Sequence, residues 1–302
     1  ILQQVSVEEL LIQWEAEFNA WLEGLKDLLD EDAETRILDE LAKLRQLYQD
    51  KRNLIVNGSM WSTIRGSLHT GIKTPFYNYP NAGDGWMIST VQSGTWEIKT
   101  DLVSYPFENS RKRWFQVKCT APTGPGFLFL PGSEFRIVKL IEGSALRGLM
   151  KGTENARDMY LSFLFNANVV GTYVIEIVDP HNNFHFSKSY LNILPNVDTH
   201  VSMRIPKHFL GPLLDASYPS LELNIWLSAG SNFTNGNETT GGWQSVITAN
   251  KAPGQIHLGA ASGNIFRLTD VQLEYGDKAT PFDRRSEEED EASCRKYYQR
   301  VS

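Results

Sequence analysis

The sequence predicts a mainly β chain: an antiparallel jelly-roll β-sandwich preceded by an N-terminal α-helical coiled coil. Between residues 53 and 283, Gly, Pro, Asn and Ser punctuate short runs rich in Val, Ile, Thr and aromatics, the grammar of strands and turns. No helical spacers separate these runs, so the sheets are antiparallel and a sandwich or jelly roll follows. Near the start, apolar residues recur in alternating steps of four and three, the period of a supercoiled helix. No repeat of about 20 to 50 residues is visible, which argues against a β-helix or propeller.

Three segments follow: 1–52, a helical trimerisation coiled coil; 53–285, the sandwich; and 286–302, a short C-terminal helix or linker. In the first, Ser6 and Glu9 form a capping box and Val5 with Leu10 a hydrophobic staple. The seam is Val7, Leu11, Trp14, Phe18, Trp21, Leu25 and Leu28. A lone amphipathic helix cannot bury such a seam, so partner chains are required. Asp30, Glu31 and Asp32 interrupt it, and Ile37, Leu41, Leu44 and Tyr48 resume the spacing in another phase. Two helices result, either stacked with a jog or hairpinned.

Expected strands in the second segment include 113–119, 126–130, 135–141, 160–165, 172–178, 199–205, 221–227 and 265–274. In 172–178, Tyr173, Ile175 and Ile177 alternate onto one face. Trp86, Trp96, Trp114 and Trp226 read as core. In the third segment Ser286 and Glu289 form another capping box, with acids at the start of the helix and Arg295, Lys296 and Arg300 near its end, as the helix dipole favours. Such a charged terminal helix reads as a linker or partner contact.

Bulk properties exclude several functions. The 302 residues are 41% hydrophobic and 22% charged, with a formal net charge of −7. A phosphate backbone needs a basic face, so nucleic acid is not a partner. No apolar run approaches the roughly 18 residues of a membrane span, so no membrane insertion is expected. The chain opens on Ile1 rather than Met, which reads as a fragment, so missing targeting signals mean little. Cys119 and Cys294 make neither a CxxC pair nor metal-ligand spacing and suggest a reduced protein. There is no GxSxG, HExxH, Walker or dinucleotide motif. His181 and His185 flank a turn in which solvated imidazoles are expected. No catalytic residue, metal site or cofactor is assigned.

Two loops carry the aromatic-plus-amide mixture that grips a sugar, an apolar ring for its C–H face and amides for its hydroxyls. One holds Tyr77, Asn78 and Tyr79; the other holds Phe233, Asn235 and Asn237 and runs on to Trp243. The second is expected at a sandwich end or on the outer surface, with Phe233 free of apolar company. The alternative is that Trp243 is core and each loop a plain connector.

The sandwich segment also resembles a family. Residues 53–61, Asn-Leu-Ile-Val-Asn-Gly-Ser-Met-Trp, with Arg65 and Gly66, look like the NLIxNGxFxxWQRG opening of sugar-binding-like modules in phage tail fibres. Asp84, Gly85 and Trp86 stand where those modules carry ADRW, with Gly85 replacing the Arg. The run from Val271 to Gly276, followed by Ala279-Thr280-Pro281-Phe282-Asp283-Arg284-Arg285, is similar to VQLExGxxATPFExR. Cys294 to Arg300 resembles CxRYYxR. The stretch FNAWLEGLKDLLDED more weakly resembles helices of phage baseplate and fibre proteins. The resemblance implies a jelly-roll module of a virion component that touches the host surface; with the helical seam and the two loops, the expectation is a homotrimeric tail fibre or other external fibre, assembled in the host cytoplasm with other phage virion proteins and contacting a host cell-surface glycan. Alternatives are a purely structural fibre segment or head-fibre module, with recognition in a domain beyond the chain, and an enzyme-linked carbohydrate module. Physically, Val271 and Leu273 alternate with Gln272 and Glu274 as in a half-buried last strand. The signature therefore reads mainly as domain closure, with a direct ligand role for Glu274 as the alternative.

Overall fold

The structure, a computed structural model, describes residues 7–25, 53–64, 66–73, 76–80, 84–105, 110–123, 129–213, 219–276 and 278–295. The chain divides into two units, Ile1–Arg52 and Asn53–Ser302. In the first, helix α1 spans Val7–Leu25. Trp14, Phe18 and Trp21 line one face as a ladder of rings, with centroids 5.0 and 5.5 Å apart. Leu11 and Phe18 are half-buried, whereas Trp14 and Trp21 remain 46% and 54% exposed. Val7 and Leu25 lie in the helix, but their side chains are outside the described residues, as are Leu28, Ile37, Leu41 and Leu44 altogether.

The second unit is a two-sheet sandwich. In chain order its strands are β1 Leu68–Ile72, β2 Phe76–Pro80, β3 Met87–Val91, β4 Thr95–Tyr105, β5 Ser110–Ala121, β6 Glu134–Glu142, β7 Met159–Ala167, β8 Gly171–Asp179, β9 Phe184–Asn192, β10 Thr199–Ile205, β11 Pro219–Ala229, β12 Gln244–Ser245 and β13 Ile265–Tyr275. One sheet has the order β1-β4-β5-β13-β7-β10, the other β12-β9-β8-β11-β6-β3-β2, and every pairing is antiparallel. Period-two patterning places the core between them. Val201, Met203 and Ile205 of β10 are buried while Ser202 and Arg204 are exposed. Rings from the two sheets meet directly: Trp96 stacks on Phe135 at 4.0 Å, and Phe165 lies 6.2 Å from Tyr173. Each such side chain contributes roughly 1.5–3 kcal/mol on burial.

Strand β8 is buried on both faces. Tyr173, Ile175 and Ile177 enter the main core, and Val174 and Glu176 on the opposite face are equally buried. Their cover is the long β11–β13 connection, which includes the one-turn helix α2, Ser231–Thr234. It is stitched down by Ile256 N to Thr172 O at 3.0 Å, Val174 N to Gln255 Oε1 at 2.8 Å, and Ser187 Oγ to Asn250 O at 2.7 Å.

The two family-like motifs close the sandwich against each other. Asn53 donates through Nδ2 to Val271 O at 2.9 Å and accepts through Oδ1 from Leu273 N at 3.1 Å. Leu54 N reaches Leu273 O at 2.7 Å, and Val271 N reaches Gly58 O at 2.9 Å. A Cβ at position 58 would collide with Val271 O, which is why glycine stands there. Asn57 holds the next turn, donating to Ser62 O and Asp84 O, and its own carbonyl accepts Trp86 Nε1–H at 3.0 Å. From β13, Glu274 accepts Thr280 N–H at 2.7 Å and Gln272 accepts Asp283 N–H at 2.6 Å. Arg285 returns to Asn53 O at 2.7 Å.

Helix α3, Glu287–Arg295, follows the strap. Its capping box forms as expected: Ser286 N–H to Glu289 Oε2 at 2.9 Å and Glu289 N–H to Ser286 Oγ at 3.2 Å. It is not a free linker. Asp290 is buried on Ser59, and the buried Cys294 thiol faces Asp84 O at 3.9 Å. Beneath lies Lys139 of β6, donating to Val56 O at 2.7 Å and Gly85 O at 3.0 Å. Burial pushes this ammonium down to about 8, against the opposing pull of the nearby Asp290 and Asp84. Gly85, where the resembling motif has Arg, makes room for it: a Cβ there would stand 2.7 Å from Nζ.

Candidate functional site

The proposed sugar-binding residues are dispersed and put to different uses. Tyr77, Asn78 and Tyr79 are not in a loop. They belong to β2, the edge strand of the seven-stranded sheet, with Tyr79 in register with Ile88. The aromatics in this run suit a strand as well as a loop; their side chains lie outside the described residues.

Phe233 overturns the expectation that it lacks apolar company. It sits in α2 and packs on Trp226 at 5.2 Å, capping a buried cluster of Val174, Trp226, Ala229 and Ala252 on the outer face of the seven-stranded sheet. Trp226 is indeed buried, but in this second core. Beside it lies a closed polar network: Glu176 accepts Trp226 Nε1–H at 3.1 Å and faces His185 Nδ1 at 3.0 Å, while Gln244 approaches the far ring nitrogen at 3.3 Å. His185 is therefore fully buried and not the solvated imidazole expected of its turn; His181 is exposed. Sequence spacing could not foresee the cover on His185, which comes from Gln244, 59 positions downstream.

Asn235 and Asn237 are exposed on this cover, and their segment is rigid: Gly236 N donates to Ala249 O and Asn237 N to Asn250 Oδ1, both at 2.9 Å. Trp243 is half-buried against the main core, its Nε1 donating to Pro206 O at 2.7 Å. One face of its ring is covered by His208, at 4.2 Å and 5°. Among the residues selected for sugar binding whose side chains are described, the exposed ones are thus amides and the aromatics are packed.

The ring over Trp243 belongs to a buried charged cluster at one end of the sandwich. Asp179, at the end of β8, pairs with Lys151 at 2.6 Å and with His208 Nε2 at 3.0 Å, all with side chains about 1% exposed. Asn182 adds a hydrogen bond at 2.9 Å. Burial raises the Asp179 carboxyl, but hydrogen bonds from His208, Lys151 and Asn182 and the Lys151 charge outweigh it and hold it below its ordinary value. Lys151 also donates to Gly211 O and Pro212 O at 2.9 and 3.0 Å. The cluster fixes the β10–β11 connection, on which Phe209 and Leu210 stand exposed. Sequence reasoning passed over them; the signal was an apolar pair between Pro206 and Gly211-Pro212, turn punctuation around residues that a connector does not require.

Among the described residues no group of three His, Cys, Asp or Glu could hold a metal ion, and no helix is long and apolar enough to cross a membrane. No family model matches the sequence, and no curated protein does. Solved structures with partial likeness include the enzymatically active domain of tailspike protein 4 from bacteriophage CBA120, at 13% identity and a TM-score of 0.34. That match covers 68% of this chain and 21% of the tailspike. The N-terminal cellulose-binding domain of Cellulomonas fimi β-1,4-glucanase C is 12% identical over 65% of this chain and 91% of its own, with a TM-score of 0.32. A family 11 carbohydrate-binding module from Clostridium thermocellum, solved with a mixed-linked tetrasaccharide, is 10% identical over 70% and 97%, also with a TM-score of 0.32. The fold and the site rest on the geometry above, not on these likenesses.

Proposed function

We propose that this chain is a subunit of a homotrimeric bacteriophage fibre, in which α1 begins the trimer stalk and the sandwich is a host-attachment module that binds a surface glycan without cleaving it. The observation that carries the reading is the ring ladder of α1, half exposed, in a chain whose sandwich has a complete core of its own. Tryptophans left in water on a heptad seam gain stability only when other helices cover them. Three copies meeting at the seam give these bulky rings the space a two-helix seam lacks. The attachment role draws on the resemblance of residues 53–61 and 271–285 to fibre modules, and on rigid, amide-bearing surface such as that of Asn235 and Asn237.

The packing of Phe233 and Trp243 favours a second reading, a structural fibre segment in which this module spaces the stalk and recognition lies elsewhere. Sedimentation equilibrium of the full chain tests assembly, with three times the chain mass expected. Replacing Phe18 and Leu25 with Asp buries charge in the bundle, at several kcal/mol per chain, and should yield monomer. A wild-type monomer, or a variant that stays trimeric, overturns the stalk assignment. Incubation with bacterial surface polysaccharide should leave the polymer's length distribution unchanged.

A further inference from the structure

The connection between β10 and β11 reads Pro-Lys-His-Phe-Leu-Gly-Pro over residues 206–212, and its backbone is fixed on both sides of its tip. Ahead of the tip, Pro206 O accepts the Trp243 indole, Lys207 N donates to Asp158 Oδ1 at 2.8 Å, and His208 is buried on Asp179. Behind it, the Lys151 ammonium holds Gly211 O and Pro212 O. Gly211 has a φ of 76°, and a Cβ there would collide with the Asn182 side chain. The large apolar side chains left exposed among residues 206–212 are Phe209 and Leu210, at 49% and 50%. A turn that merely joined two strands would gain nothing from two large apolar side chains in water. Nor would it need a desolvated Lys–Asp–His cluster beneath it, which is costly to bury.

We infer that Phe209 and Leu210, with the Lys207 ammonium beside them, form a saccharide-contacting tip; this rests on the host-attachment reading and names its subsite. Lys207 Nζ lies over one face of the Phe209 ring, 4.7 Å from its centroid, setting a cation against an aromatic surface. That combination suits a pyranose, whose C–H face lies on a ring while its hydroxyls or a carboxylate reach a donor. The adjoining β8–β9 turn, whose Asn182 abuts Gly211, adds the exposed Asn183 and His181 as polar groups. Two side chains are far too small a footprint for a stable protein interface, which takes about 800 Å² per partner. A rigid tip also loses little conformational freedom on binding.

The test uses the full-length chain, its F209A/L210A variant and its Phe209→Tyr variant. The probes are an array of purified bacterial O-antigen and capsular polysaccharides and, separately, vesicles of phosphatidylethanolamine and phosphatidylglycerol. The wild type should bind at least one polysaccharide. The double variant should bind it at least tenfold more weakly at an unchanged melting temperature, and Phe209→Tyr should retain binding because the ring is kept. Equal binding by the double variant overturns the tip and leaves the attachment reading standing. A markedly lower melting temperature also overturns it, since the pair would then be structural. Vesicle binding that depends on the pair, without polysaccharide binding, makes the tip a lipid contact and overturns the saccharide assignment. A wild type that binds no polysaccharide at all overturns the attachment reading and this inference with it.

Discussion

Substituting Asp179 with Asn puts the buried cluster under the sandwich end to a quantitative test. The carboxylate lies 2.6 Å from Lys151 and 3.0 Å from His208, with none of the three side chains more than 1% exposed. Neutralising it leaves an ammonium enclosed without its counter-charge, a loss of about 3–5 kcal/mol. For a domain of this size each kcal/mol moves the melting temperature by roughly 2–4 °C, so a fall of about 6–20 °C is expected. Urea denaturation gives the free energy directly. Adding Lys151→Met to the Asn variant removes the stranded charge and should recover part of the loss, a coupling of more than about 0.5 kcal/mol in a double-mutant cycle. The pH dependence has a definite sign. The native carboxyl titrates below its unfolded value, so its stabilisation is complete above the ordinary aspartate range and is lost as pH falls through the lower native value. The gap between wild type and the Asn variant should therefore narrow in acid. A loss under about 1 kcal/mol, or strict additivity with Lys151→Met, would refute the account.

Phe233→Ala should lower stability by about 1–3 kcal/mol, less than the 3–5 typical of a fully buried Phe because the ring is only half covered; an unchanged urea midpoint would put Phe233 outside the second core. Cys119 and Cys294 are buried, and burial pushes each thiol up to about 11, so neither should react with a thiol reagent at pH 8 until denaturant is added. Labelling of Cys294 in the native protein at the rate of a free thiol would mean that α3 is not docked.

What the sequence revealed follows the range over which its signals act. Period-two patterning acts between neighbours, and it located β8, β10 and β13 and the inward face of β8; β13, read as half-buried, is buried on both faces, since Gln272 and Glu274 lie under the strap. Capping chemistry is equally local, and the Ser286–Glu289 box forms as read. The signature from Val271 to Asp283 reads as closure, and Gln272 and Glu274 are spent on holding the strap. What stayed hidden is contact between distant segments. Phe233 follows Trp226 by seven positions and Ala229 by four, but it meets them, with Val174 from a strand far earlier in the chain, only because the connection folds back over the sheet. His185 alternates like an exposed residue until Gln244 lies over it. The Lys151–Asp179–His208 cluster joins two connections and a strand end that no pattern links, and so the anchoring of the loop carrying Phe209 was invisible. Tyr77 to Tyr79 failed for the opposite reason: an edge strand and an aromatic loop share one composition.

The clasp between Asn53 and β13 has a mechanical side. Where the chain enters the sandwich at Asn53 it lies against Val271 and Leu273, and Arg285 on the outgoing strap grips the same Asn53 carbonyl. Tension applied to the two ends of the domain therefore meets these few short bonds at one place, with β13 as the strand they grip. The strands other than β13 are reached by that load only through it or after the clasp has given way.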